Sequence, residues 1–213
     1  MQHLTTSFRA LQLGGLMVYP LIALGVLAVA VLLDKTFVLI RFCKLPHQIV
    51  QIAETYNFAW TRLEDCMASL PRGNYYRRFF QVILDNRTNP AWWVESRAGD
   101  EAQLIEIALN RWLWMLETIV TAAPLIGLVG TIIGMMESFR LIGTGGLVNP
   151  TSITGGVAQA LIATTLGIVV ALIALFSFNF FSHLHSNTMD KMERLGTRLI
   201  DRLRVDHEER GGA

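Results

Sequence analysis

Three long apolar segments constrain this chain more than any other feature of its sequence. They run from Leu16 to Leu33, from about Thr118 to Met136 and from Val157 to Phe181, and the third contains no formal charge. A helix that crosses a bilayer needs about 20 mostly apolar residues. Charged residues make up only 16% of the 213 residues, well below the roughly 25% of soluble domains. The sequence therefore predicts an all-α membrane protein with three transmembrane helices.

The first apolar segment has an alternative interpretation as a cleaved signal peptide. Ala28-Val29-Ala30 resembles the small-residue site at which such peptides are cut. However, the apolar run continues past this site to Leu33, and the leader before it carries only Arg9 as a basic group. We therefore expect the segment to remain as the first span.

Basic residues near the span ends predict the direction of insertion, because Lys and Arg concentrate on the cytoplasmic side. One side has Arg41, Lys44, Arg97, Arg111, Lys191, Arg194 and Arg198, and the other has only Arg9 and Arg140. We expect the N-terminus outside and the C-terminus inside. The predicted spans are then 16–40, 116–142 and 153–182. Residues 41–115 and 183–213 form long cytoplasmic helical extensions, and residues 1–15 and 143–152 lie outside.

Proline and glycine divide the cytoplasmic segment 41–115 into helices. Pro46 predicts the first turn of a helix that reaches about Leu70, and the following Pro71-Arg72-Gly73-Asn74 predicts a turn. From Ala91 the pattern predicts one helix that continues into the second span without a break until Pro124. After the third span, apolar residues recur at helical spacing and predict an amphipathic helix continuous with that span: Met192, Leu195, Leu199 and Leu203.

Several local motifs have more than one interpretation. The segment Tyr75-Tyr76-Arg77-Arg78-Phe79-Phe80 either binds RNA or anionic lipid or forms an amphipathic helix, and we favour the helix because the net charge is only +1. Gly143-Thr144-Gly145-Gly146 lacks the Lys-Ser/Thr of a phosphate-binding loop. His183 and His185 lie on different helix faces, which disfavours a metal site. Cys43 and Cys66 are read as reduced cytoplasmic thiols. The sequence shows no nucleophile and base in a pattern that would predict an enzyme. We also expect no cofactor and no nucleic-acid partner.

Small residues form a stripe along the second and third spans. The second span has Ala123, Gly127, Gly130 and Gly134, and the third has Ala160, Thr164, Gly167, Ala171 and Ala174. Such stripes allow membrane helices to approach closely. The stripe is explained either by packing within one chain or by packing between copies of the chain around a central pore.

Polar residues fall in the same two spans: Thr121, Thr131, Gln159, Thr164, Thr165, Ser177 and Asn179. A hydroxyl in a membrane helix usually bonds to a carbonyl of its own helix, which explains any single threonine. Polar groups that face a bundle interior instead tend to mark a pathway. Both interpretations remain open at this point.

The most specific signals lie in these two spans. The segment TAAPLIGLVGTIIGM, residues 121–135, resembles the second-helix signature of the ExbB/TolQ/MotA family of proton-channel motor subunits, and GVAQALIATTLG, residues 156–167, resembles its third-helix signature. The resemblance covers about residues 115–182. The layout of the rest of the chain, with its short cytoplasmic domain, is most similar to ExbB.

This resemblance implies a function and a set of site residues. It implies a homopentamer in the bacterial inner membrane, around single-span partners of the ExbD/TolR type, that uses proton flow to drive a TonB-like energy transducer for transport across the outer membrane. On this basis Thr131, Thr164 and Asn179 would line the proton pathway. The helix-three position that usually holds glutamate is Gln159 here, and glutamine cannot ionise.

Three alternatives follow from this departure. The chain is an ExbB-like motor subunit, a TolQ-like subunit for envelope integrity, or a structural membrane scaffold without proton coupling. If Thr131 and Thr164 lie at the same depth, as the resemblance implies, then Glu137 lies level with Gln159. We therefore hypothesise that Glu137 supplies part of the missing carboxylate function. The simpler interpretation is an interfacial glutamate within ion-pair reach of Arg140.

Overall fold

The computed structural model describes residues 15–43, 45–55, 59–143 and 150–211. Within these ranges the helices are α1 (Val18–Phe42), α2 (His47–Glu54), α3 (Trp60–Ala68), α4 (Tyr75–Asp85), α5 (Ala91–Asn110), α6 (Leu113–Gly143) and α7 (Pro150–Gly211). No strand occurs among the described residues, and the predicted all-α fold is confirmed. The predicted outer segments, 1–15 and 143–152, lie largely outside the described residues.

Three helical stretches are long and apolar enough to cross a membrane: Val18–Phe42, Ala91–Arg140 and Thr154–Glu209. The predicted spans fall on α1, α6 and α7. α7 begins at Pro150. Proline has no amide N–H, and at the first position of a helix that group would have no partner within the helix. The C-terminal amphipathic helix is continuous with the third span, as predicted, because α7 runs without a break to Gly211.

Pro124 lies inside α6, and the helix continues through it. The buried positions of α6 keep a spacing of three and four residues on both sides of the proline: Leu116, Ile119, Ala123, Gly127, Gly130, Gly134 and Ser138. A helix that keeps this spacing turns one continuous face toward its neighbours. The proline therefore does not change which face of α6 is buried.

The chain divides into two compact units. The first comprises Met1–Leu33 and Trp112–Phe180, and the second comprises Asp34–Arg111 and Phe181–Ala213. The core of the first unit contains residues of α1, α6 and α7: Leu21, Ala28, Val31, Leu116, Ile119, Ala123, Ala171 and Ala174. The core of the second unit is built around the aromatic residues of α4 and the apolar stripe of the C-terminal part of α7.

The basic aromatic cluster at the start of α4 is a packing element. Tyr76, Phe79 and Phe80 are at most 4% exposed, so their rings are not available to stack on bases. Arg78 forms an ion pair with Glu101 at 2.7 Å, and Arg77 donates to the carbonyl of Leu70. The prediction of an amphipathic helix is confirmed.

Two of the predicted cytoplasmic helices are interrupted, and both predictions were wrong in the same way. The helix expected from Pro46 to Leu70 is divided into α2 and α3, because Thr55 and Ala59 take extended backbone conformations. The Thr55 hydroxyl donates to the carbonyl of Gln51 at 2.8 Å. Such local side-chain bonds compete with continuation of a helix.

The second interruption separates α5 from α6, where the sequence predicted one continuous helix. Trp112 has a φ of +68°, a conformation that costs an L-residue about 1–2 kcal/mol. In a continuous helix the carbonyl of Leu109 would accept the N–H of Leu113. Here it accepts the ammonium group of Lys35 at 2.7 Å. Lys35 is 2% exposed, so a buried cation caps the C-terminal end of α5, where the helix dipole favours positive charge.

Candidate functional site in the membrane spans

Close backbone contacts join α6 and α7 in the first unit. A Cβ atom placed on Gly167 would lie 2.6 Å from the carbonyl oxygen of Ala123 and 3.2 Å from the Cα of Gly127. A Cβ atom on Gly127 would lie 3.1 Å from the Cα of Thr164. Ordinary contacts begin at 3.4 Å. These two glycines therefore let the backbones approach more closely than any side chain would allow.

The same seam continues toward the C-terminal end of α6. A Cβ atom on Gly130 would lie 2.7 Å from the Cβ of Ala163, and one on Gly134 would lie 3.1 Å from the Cβ of Ala160. Ala171 lies in the core shared by α1, α6 and α7. All of these contacts are within one chain. Of the two explanations for the stripe, the structure shows packing within the chain, and a contact between copies would need other surfaces.

Thr164 makes a hydrogen bond across the seam rather than along its own helix. Its hydroxyl donates to the carbonyl of Gly127 at 3.1 Å, and the side chain is partly buried. A cross-helix bond of this kind contributes roughly 0.6 kcal/mol, and up to about 1.7 kcal/mol, in a membrane bundle. The simple back-bonding interpretation is therefore wrong for Thr164.

This bond fixes the register of α6 against α7. Thr164 lies beside Gly127, and Ala163 lies beside Gly130. Thr131 therefore lies two to four residues, about 3–6 Å at 1.5 Å per residue, farther along α6 than Thr164, and the two threonines are not at the same depth. Close contacts pair Ser138 with Gly156 and Gly134 with Ala160. Glu137 consequently lies about two residues, or about 3 Å at 1.5 Å per residue, farther along α6 than the level of Gln159.

The remaining predicted pathway residues do not converge on one point of the chain. The Thr131 hydroxyl donates to the carbonyl of Leu128 in its own helix at 2.7 Å. The Gln159 amide lies against the Cα of Gly15, where a Cβ would be 1.9 Å from its Nε2. Asn179 and Glu137 are exposed. Of the predicted pathway residues, Thr164 therefore contacts α6, and Gln159 contacts Gly15 just before the start of α1.

Three further hydroxyls in the spans bond to their own helices. The hydroxyl of Thr121 donates to the carbonyl of Thr118, that of Thr165 to the carbonyl of Leu161, and that of Ser177 to the carbonyl of Ile173, over distances of 2.7–3.0 Å. A back-bonded hydroxyl has satisfied its only proton donor, but its oxygen still accepts a further hydrogen bond. Each of these hydroxyl oxygens can therefore accept a hydrogen bond from a proton-carrying group while the helix keeps its conformation.

The second span contains an ionisable residue, Glu117, that was not among the predicted site residues. Glu117 lies within the predicted span 116–142, in the second turn of α6, and its side chain is exposed. The signal that would have found it is its position inside that range, where charged residues are rare.

The described spans thus combine a tight seam with exposed polar groups. The seam holds α6 and α7 as one rigid pair, and the hydroxyl, amide and carboxylate groups offer hydrogen-bond partners inside an otherwise apolar surface. Polar groups of this kind within membrane spans tend to mark pathways for protons or ions. The fold and this arrangement define a multi-pass membrane protein with a polar set in two of its spans.

Comparison with known proteins agrees with this class. The model of the MotA/TolQ/ExbB proton channel family matches residues 72–194. An ExbB-like biopolymer transport protein of Synechocystis is 28% identical over 179 residues, which cover 81% of this chain and 83% of that protein. The biopolymer transport protein ExbB of Aquifex aeolicus is 41% identical over 80 residues, covering 38% of this chain and 53% of that protein. That of Xanthomonas campestris is 36% identical over 93 residues, covering 44% and 37%.

The matched range includes both transmembrane signatures and more than half of the chain. The chain therefore belongs to the MotA/TolQ/ExbB proton channel family, and among its members it is most similar to ExbB.

Proposed function

We propose that this chain is an ExbB-like subunit of a bacterial inner-membrane motor that is driven by the proton-motive force. It would assemble as a homopentamer around single-span ExbD/TolR-like partners in the lipid bilayer and energise TonB-dependent transport across the outer membrane. The observation that carries the proposal is the α6–α7 seam, closed by the Thr164–Gly127 bond, because it joins the two signature segments of a proton channel family into one rigid pair.

Large apolar side chains on the outside of the first unit support an assembly. On α1, α6 and α7, Tyr19, Leu125, Leu161 and Phe176 are 61–71% exposed. Surfaces of this kind face lipid or protein partners. Native mass spectrometry in a lipid-like detergent tests the stoichiometry, since a pentamer would have five times the 23.8 kDa mass of the chain. A stable monomer or dimer as the dominant species in the presence of the partner would contradict the pentamer.

The test of function is proton flux through a reconstituted complex. The chain is co-expressed with a single-span partner that carries a membrane aspartate, purified and placed in vesicles that contain a pH-sensitive dye. We expect flux that is driven by an imposed potential and lost when the partner's aspartate is changed to asparagine. Vesicles with the chain alone serve as the control. Co-purification with a TonB-like rather than a TolA-like transducer would separate the ExbB-like function from the TolQ-like alternative.

Thr131→Val and Thr164→Val test the pathway residues within the same assay. Both substitutions keep the side-chain shape and remove the hydroxyl, so we expect lower flux with the assembly retained. Full flux in both variants would leave the hydroxyls with hydrogen-bonding roles only.

One observation favours the scaffold alternative. Gln159 occupies the position of the glutamate in the best-known members, and its amide packs against Gly15 as a neutral side chain. A complex that assembles with its partner but conducts no protons would favour a scaffold over a motor. Gln159→Glu would then be the variant that restores an ionisable group.

The predicted orientation has its own test. The sequence contains only two cysteines, so Cys43→Ser leaves Cys66 as the only thiol, and its side chain is partly exposed. A membrane-impermeant maleimide should label Cys66 in inverted vesicles and not in intact spheroplasts. Labelling in spheroplasts would reverse the proposed topology.

A further inference from the structure

We propose that Glu117 is a proton-carrying group of this chain at the cytoplasmic end of the pathway. The inference rests on the proposed function and deepens it, because it identifies which carboxylate of the chain takes part. Between residues 113 and 143, which form α6, the sequence has two carboxylates, Glu117 and Glu137. In the structure these two carboxylates lie on different sides of α6.

The buried face of α6 gives the reference direction. Leu116, Ile119 and Ala123 are at most 2% exposed, and the same face continues without a skip past Pro124. Because the register is kept, angles around α6 follow from a rotation of about 100° per residue. Glu117 is exposed and lies outside this buried face.

Glu117 lies on the same side of α6 as the predicted pathway threonine. Glu117 and Thr131 are 14 residues apart, which places them within about 40° of each other around the helix. Thr121 lies one turn farther along than Glu117 and about 40° from it in the other direction, so Thr121 and Thr131 are about 80° apart around the helix. Their depths differ, since 14 residues rise about 21 Å. Glu117, Thr121 and Thr131 therefore form one polar line, a sector about 80° wide on one side of α6 that extends over about 21 Å of the helix.

Glu137 lies on a different side of the same helix. It is about 120° from Thr131 and about 160° from Glu117. A group that faces away from Thr131 cannot exchange a proton with the same line of polar atoms. This geometry favours Glu117 over Glu137 as the carboxylate that compensates for Gln159.

The chemistry of the line fits a proton exit. Among the residues that the structure describes, no ion pair or hydrogen bond occupies the Glu117 carboxylate. The neighbouring Thr121 hydroxyl donates to the carbonyl of Thr118 and so leaves its oxygen free to accept. A proton that arrives on a water molecule or on a partner's carboxylic acid would bind a Glu117 oxygen, and the same O–H bond would break when the proton passes to cytoplasmic water. No net covalent change remains on the chain.

The test compares the two carboxylates of α6 in the reconstituted complex with its single-span partner. We expect Glu117→Gln to lower proton flux at least about tenfold, a threshold set below the roughly 100-fold loss at the lower edge of the range for an acid–base group. Glu117→Asp should restore most of the flux, because it returns an ionisable group. Glu137→Gln is the matched control, with the same chemical change on the other side of the helix, and should stay within about twofold of the unchanged complex. Native mass spectrometry follows the assembly of each variant.

Each contrary result has a defined meaning. Unchanged flux in Glu117→Gln, with normal flux in the unsubstituted complex, would overturn this inference and leave the proposed function intact. An equal loss in Glu117→Gln and Glu137→Gln would overturn the argument from the helix face. Failure of Glu117→Gln to assemble, with Glu117→Asp assembling but without flux, would make the residue structural. No flux in the unsubstituted complex would overturn the proposed function itself.

Discussion

The substitution Gly167→Ala adds one methyl group to the closest part of the α6–α7 seam. The new Cβ would lie 2.6 Å from the Ala123 carbonyl oxygen and 3.2 Å from the Cα of Gly127. Both neighbours are backbone atoms, which cannot turn away as a flexible side chain can. To reach an ordinary contact of 3.4 Å, the two backbones would have to separate locally by about 0.8 Å.

This separation has two energetic consequences. Inserting a methyl group into a well-packed core costs about 1–3 kcal/mol. Moving the backbones apart also lengthens the Thr164–Gly127 bond, which already spans 3.1 Å, and its loss would cost roughly a further 0.6 kcal/mol. Alanine is the better helix former by about 1 kcal/mol, which offsets part of this cost. We therefore expect Gly167→Ala to destabilise the helix pair by about 1–3 kcal/mol.

The assay is unfolding of the purified chain by a titration with SDS in mixed micelles. Gly155→Ala is the matched control, since it lies on the same helix and its new Cβ would have nothing within 4 Å. That control should be neutral or slightly stabilising. If Gly167→Ala and Gly155→Ala unfold at the same SDS fraction, the backbones are not in close contact and the seam argument fails.

Three further predictions concern the second unit. Asn74→Ala should lower stability by about 1–2 kcal/mol, because the buried amide oxygen caps two N–H groups at the start of α4, and Asn74→Ser should recover part of the loss in thermal unfolding. Lys35→Glu should abolish monodisperse protein in size-exclusion chromatography, because it sets an acceptor against the carbonyl at the end of α5, whereas exposed Lys191→Glu should be tolerated. Burial raises the pKa of the Cys43 thiol to about 11, so in a Cys66→Ser background intact mass spectrometry should show iodoacetamide alkylation at pH 8 more than about 100-fold slower than for an ordinary thiol with a pKa near 8.5.

The spans were predictable because their signal is a property of composition over many residues. A run of about 20 apolar residues has few alternatives to a membrane helix, and the structure has all three runs in helices. The amphipathic end of α7 was predictable for a similar reason, since Leu195, Leu199 and Leu203 repeat at helical spacing and are all buried. A pattern of apolar residues that extends over several helical turns still predicts the helix when a single residue departs from it.

The helix ends were less predictable because single long-range contacts decide them. Nothing near Trp112 in the sequence indicates a break, and neither proline nor glycine lies beside it. The partner that replaces the missing backbone bond is Lys35, 74 residues away from Leu109. Local propensity cannot report a cap that comes from another helix.

The register between spans was also beyond the reach of sequence spacing. Counting residues within each motif gives the distance from Thr131 to Glu137 and from Gln159 to Thr164, but it does not say which residue of α6 lies beside which residue of α7. Small residues determine this pairing, because the two helices can approach closely only where a glycine of one helix faces the backbone of the other. The offsets of about 3–6 Å between residues that were expected at one depth come from the partners of Gly127, Gly130 and Gly134.

The position of the seam also limits what this chain can contribute to proton movement. With glutamine at position 159, a titrating group in the membrane must come from another helix or from a partner. On α6 the seam occupies the face of Gly127 and Gly130, so a carboxylate can serve the pathway only from the side that carries Thr131. Glu117 meets this condition and Glu137 does not. If Glu117→Gln conducts normally, the chain supplies only hydroxyl and amide groups to the pathway, and every proton-carrying step has to take place on the partner.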